Sequence, residues 1–191
     1  MGGFMISFEK KYAEYPMEEF IDKVMSVQEV LGYCKENYCG HFGKCWSCPP
    51  YDFDTIEYMK QYSRIKVLGI KACFSEEDKG RTLTKEELGK LTMEAMMGAR
   101  GQLDEELRAE EEKTPGSEAL LGGACTLCGR QPCAKATGEE CRHKDKMRYS
   151  IESLGGLTNK VTEEMLGYEM LWIKDGILPD YLTSVGALMI K

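Results

Sequence analysis

Eight of the nine cysteines in this 191-residue chain fall into two short groups, and their spacing is that of metal ligands. Cys34, Cys39, Cys45 and Cys48 are arranged C-x4-C-x5-C-x2-C and run directly into Pro49 and Pro50. Cys125, Cys128, Cys133 and Cys141 are arranged C-x2-C-x4-C-x7-C. A C-x2-C turn lets two sulfurs of one loop reach the same metal atom or neighbouring irons of a cluster, while glycines let the backbone curl and direct N–H groups at sulfide. Each group contains one such turn, and four thiolates are the ligand complement of a [4Fe-4S] cluster. The proline after Cys48 matches the end of bacterial ferredoxin loops, although neither spacing is the ferredoxin run itself. These residues lead to an expectation of two [4Fe-4S] clusters, one per group, passing single electrons to a protein redox partner such as a larger enzyme. Two alternatives use the same thiols. Cys45 and Cys48 with Cys125 and Cys128 could close a tetrahedral zinc site in an interaction module. A first group supplying only three ligands would leave one iron open to substrate, which would make the protein an iron–sulfur enzyme.

The remaining candidates have plainer readings. Cys73 sits in an apolar segment as a small core residue. The pair in CWSCPP follows a glycine loop instead of opening a helix, so it does not read as a thioredoxin-like dithiol. His41 and His143 flank cysteines and are expected to support ligands, with enough thiols present to leave imidazole unneeded. The methionines of MEAMMGAR are expected in the core, and the acidic run DEELRAEEE on a solvated helical face. No serine–histidine–acid order, metalloprotease motif or phosphate-binding glycine motif supplies a rival centre.

Charge and hydropathy bound the setting. A formal net charge of −7 and a pI near 5.1 argue against a nucleic-acid surface, which needs a basic field. No run approaches the roughly 18 apolar residues of a membrane span, and the start has no apolar stretch of signal-peptide length. Gly2 does not open a myristoylation motif, because Ile6 stands where Ser or Thr is required. A cytoplasmic protein with neither membrane nor nucleic acid as partner is expected, and in a reducing compartment an odd number of clustered thiols reads as ligands. Locally the charge is uneven. Arg130, Lys135, Arg142, Lys144, Lys146 and Arg148 outnumber Glu139, Glu140 and Asp145 around the second group, whereas residues 34–54 are slightly acidic. Cations favour the reduced state, so the second group's centre is expected at the higher potential.

The elements that must carry these loops are mixed. Phe20, Val24, Val27, Leu31 and Cys34 recur at helical spacing, predicting one amphipathic helix that delivers Cys34 at its end before Gly40 and Gly43 open a loop. Asp54 with Glu57 predicts a capped helix to about Tyr62, and Thr84 with Glu87 a long helix to about Lys113, interrupted at Gly98 and Gly101. RIKVLGIKACF, residues 64–74, predicts a buried strand, and TPGS, residues 114–117, a turn. A helical stretch near Thr162 to Leu171 and a strand near Val185 to Ile190 complete a single α+β domain over residues 1–191, with helices on a small mixed sheet and two cysteine-rich loops.

The segment CGHFGKCWSCPPYDF, followed by a strand, and downstream GGACTLC, a third cysteine and CRHKDKMRYSIESLGG, resemble a bacterial and archaeal family of predicted metal-binding proteins. The resemblance covers essentially the whole chain. It implies metal binding, with iron–sulfur chemistry expected and no particular reaction, and it carries over to Cys39, Cys48, Cys125, Cys128, Cys133 and Cys141. One departure is Lys144, where the pattern leads us to expect proline.

Overall fold

A computed structural model describes residues 5–191, so Gly2 and its failed motif lie outside the described residues. In chain order these residues form β1 (Ile6–Pro16), α1 (Met17–Val24), α2 (Val27–Glu36), the first cysteine loop, α3 (Thr55–Met59), β2 (Arg64–Phe74), α4 (Lys85–Lys113), β3 (Glu118–Leu120), the second cysteine loop, α5 (Thr158–Lys160) running into a π-helical turn over Val161–Met165, and β4 (Tyr181–Ile190). The strands make one sheet in the order β1-β2-β4-β3. All three pairings are antiparallel, so the fold is α+β as expected but its sheet is not mixed.

Burial on both faces explains why β2 reads as a nearly continuous apolar run. Ile65 and Val67 point into one core with Phe20, Met59, Met165, Val185 and Met189, beneath α1, α3 and the π-helical turn. Leu68, Ile70 and Ala72 point into the other, against α4. That helix buries Leu91, Ala95, Ala99, Leu103 and Leu107, a stripe at four-residue spacing. It starts on the expected capping box, with Thr84 Oγ1 accepting from Glu87 N and the Glu87 carboxylate accepting from Thr84 N. Gly98 and Gly101 do not interrupt it. A Cβ at Gly98 would come within 2.6 Å of the Phe8 ring, so the glycine lets β1 pack closely against an unbroken helix.

The helix expected from Phe20 through Cys34 is two helices. Met25 turns extended and pairs with Gly156, Ser26 N donates to Gly155 O at 2.9 Å, and Leu157 N donates to Val24 O at 3.1 Å. Satisfying that segment's backbone groups breaks the helix between two stretches that keep the same periodicity. The helix expected from Thr162 to Leu171 begins earlier and ends at Met165, and β4 extends back to Tyr181. Strands β1 and β3 had no expected counterpart. The acidic run is not simply solvated: Glu106 bonds Lys10, Glu110 bonds Lys66, and Glu111 bonds both Arg148 and Ala119 N. Nor are all the methionines of α4 core, since Met93 and Met97 are 64% and 68% exposed.

Candidate metal centre

The first cysteine loop begins where α2 stops. Asn37 adopts a left-handed conformation as the C-cap and its Oδ1 accepts from Phe42 N at 3.1 Å. Gly43 N donates to Pro49 O at 2.8 Å, closing residues 43–49 into a compact turn in which Cys48 N reaches Cys45 O at 3.1 Å. The second loop is built the same way. Gln131 N bonds Cys128 O, Ala136 N bonds Cys133 O at the start of a 3-10 turn over Ala134–Thr137, and Met147 N bonds His143 O.

The two loops interlock. Ser47, fully buried, sets its hydroxyl 3.3 Å from Cys45 Sγ and 3.9 Å from Cys48 Sγ and accepts from Cys125 N at 2.9 Å. Trp46 Nε1 donates to Glu139 O at 3.1 Å, and Lys135 Nζ donates to the carbonyls of Cys48 and Pro50 at 3.0 and 3.1 Å. Sequence separation hid this contact. Ser47 was the missed residue, and its only signal was a hydroxyl between two cysteines of a tight turn.

The structure brings the second group together around a cavity of about 320 Å3 lined by Cys125, Cys128, Cys133 and Cys141, and it adds Cys45 from the first group. His41 and His143 also reach this cavity. Cys34 lies elsewhere, on a cavity of about 350 Å3 walled by Pro49, Tyr51, Thr55 and Glu152, where the buried Thr55 Oγ1 has no hydrogen-bond partner among the described residues. Cys39 is exposed, Cys48 is half-buried, and Cys73 sits half-buried in β2, away from both loops. The Cys34 thiol is pushed up by burial and then by the charges of Cys39 and Glu152, and Cys39 likewise acts on Cys48. Cys34, Cys39 and Cys48 are therefore electrostatic neighbours.

Cys45 carries the lowered thiol. A hydrogen bond from Cys48 is the main cause, opposed by burial and reinforced by Ser47 and Cys133, while the same bond pushes Cys48 up. One thiolate is thus already stabilised at the junction of the two loops, and Cys125 is pushed up by burial. Arg142 Nη1 lies 3.9 Å from Cys128 Sγ while also donating to Pro132 O, which places a cation beside a thiol that must ionise to bind metal. Among the described residues no three His, Cys, Asp or Glu side chains converge closely enough to hold a single ion as they stand. All nine cysteines are free thiols, and the donor set around the five-cysteine cavity is soft sulfur, which suits zinc or iron–sulfur chemistry.

The sequence profile of the predicted metal-binding protein family (DUF2284) matches residues 21–190, and the chain belongs to that family. No curated protein and no solved structure matches it. Both cysteine loops and strands β2, β3 and β4 lie within the matched residues, and β1 precedes them.

Proposed function

We propose that the protein is an iron–sulfur protein in which Cys125, Cys128, Cys133 and Cys141 hold a [4Fe-4S] cluster, with Cys45 beside it. The observation that carries this reading is the cavity walled by five thiols. Zinc needs four ligands about 2.3 Å from one point, which leaves little open volume, whereas the irons of a cluster are spread so that each cysteine meets a different one. Five thiols around one open cavity fit the second requirement better. When bound, such a cluster supplies reversible one-electron transfer. The chain's own residues supply the thiolates, the Arg142 cation that offsets their charge, and the Ser47 and Lys135 bonds that fix one loop against the other.

With Cys45 turned towards that cavity, Cys34, Cys39 and Cys48 remain for a second centre. Three thiolates leave one iron of a cuboidal cluster without a protein ligand, and the cavity beside Cys34 supports the reading in which that iron takes substrate. Electron transfer to a partner protein is supported by surface access, since Cys39 is exposed and Tyr38 is 91% exposed next to it. A cytoplasmic setting is supported by the free thiols. No helix among the described residues is long and apolar enough to cross a membrane. Zinc keeps one specific observation in its favour: Ser47 anchors the C-x2-C turns of both groups at one buried point.

The test is electron paramagnetic resonance of the reduced protein. Cys128→Ser should remove one signal and Cys48→Ser a different one. Loss of every signal by either substitution would show a shared centre, and no signal in the wild-type protein would exclude the reading.

A further inference from the structure

On the far side of α4 from β1, a groove of about 870 Å3 is walled by Met93, Met96, Met97, Met170, Trp172 and Ile173. Its volume is that of a small-molecule site, and its rim is unusually apolar for a surface, with Met93, Met97 and Trp172 each more than 60% exposed. Met96 and Met170 pack towards the core, but the buried stripe of α4 does not use Met93 and Met97, so the packing of the fold does not account for those two.

The floor is polar. Arg100 lies along it, with Nη2 donating to Ala124 O at 2.6 Å and Nε paired with Asp104 at 3.4 Å, and with no hydrogen-bond partner for Nη1 among the described residues. A Cβ at Gly122 would sit 3.2 Å from Arg100 Cγ, and one at Gly123, whose φ is +66°, would sit 3.5 Å from Nη1. Gly123 thus leaves Nη1 open on the side that a side chain there would contact, and Gly122 makes room for the Arg100 stem. The groove is lined by two cations, Lys85 and Arg100, and by one acid, Glu152, whose carboxyl is pushed up by burial.

We propose that this groove binds an amphipathic organic acid, with its hydrocarbon part on the methionines and Trp172 and its carboxylate on the Arg100 guanidinium. A guanidinium fixed by Ala124 O and Asp104, with Nη1 left open under an apolar rim, suits such a ligand. The groove holds no cysteine but borders the cysteine regions at two points: Glu152 also walls the cavity beside Cys34, and Ala124, whose carbonyl Arg100 holds, leads directly into Cys125. Its test does not depend on which metal the protein carries.

Isothermal titration calorimetry of the protein as purified, with decanoate and with decyltrimethylammonium below their micellar concentrations, decides the matter. Decanoate should saturate at one per chain and bind at least about tenfold more tightly than the cation, and Arg100→Gln should weaken it about tenfold. Because Arg100 also braces Asp104 and Ala124, the paired change Met93→Gln with Met97→Gln, at two exposed positions, provides a second reading and should weaken decanoate several-fold. Equal binding of the two detergents, unchanged affinity in both variants, or decanoate acting only by dissociating a dimer would each overturn the proposal.

Discussion

Six basic residues stand between Gly129 and Arg148, but their side chains go to different places. Lys135 is spent on carbonyls of the first loop, Arg148 Nε pairs with Glu111 at 2.6 Å, and Arg142 approaches Cys128. Of these three, Arg142 is the cation in contact with a thiol. One unit charge at about 8 Å in an effective dielectric of about 20 contributes on the order of 2 kcal/mol before salt screening. Arg142→Glu should lower the potential of the centre held by Cys125, Cys128, Cys133 and Cys141, and that centre should reduce before the first-group centre. A spectroscopically monitored redox titration checks both statements, and an unchanged potential would remove Arg142 from the account. At this scale the sequence was legible where the interaction is local. Asp54 accepts from Ile56 N and Glu57 N as its position predicts, and Thr84 with Glu87 forms the box its spacing predicts. Cys45 was not legible, because spacing along the chain does not say which loop's cavity a side chain enters.

Two elements show what periodicity misses. Strand β1 carries Glu9, Lys10, Lys11 and Glu14 on a largely exposed edge, so its half-buried positions never form an apolar run. It is held by side chains instead. Lys10 Nζ lies 2.5 Å from Glu106 on α4, and the Tyr12 hydroxyl donates to the same carboxylate. Burial alone would raise the Glu106 carboxyl, but hydrogen bonds from Lys10 and Tyr12 and the charges of Lys10 and Lys66 hold it below its ordinary value. Burial and Glu106 push Tyr12 up to about 12. The signs are opposite. The Glu106 contribution is present above its unfolded value near 4.3 and is lost as pH falls through the depressed folded value. The Tyr12 contribution is present below its unfolded value near 10 and is lost as pH rises through the raised one. Melting temperature measured against pH should fall outside that window, and Tyr12→Phe should shrink the alkaline loss relative to wild type. Where β4 passes beneath α4 and beside β3, a Cβ at Gly186 would come within 2.5 Å of Leu120 O, 2.7 Å of Leu107 Cδ1 and 2.9 Å of Leu103 Cδ2. Gly186→Ala should therefore cost about 1–3 kcal/mol by overpacking, measurable as a lower denaturation midpoint.

As a whole the molecule is a twice-covered antiparallel sheet with its two cysteine loops docked on each other, and its core does not rest on the thiols. The fold class, β2, α3, α4 and the existence of two loops were readable because each rests on a local pattern. The docking of the loops, the split between α1 and α2 and the methionine-lined groove were not, because each depends on segments more than 70 residues apart meeting in space. We propose that soft thiols from both groups hold iron–sulfur clusters, and anaerobic purification followed by analysis of iron, acid-labile sulfide and zinc decides it. Two [4Fe-4S] centres require a brown protein with about eight irons and about eight sulfides per chain. One zinc per chain with no acid-labile sulfide would overturn the proposal.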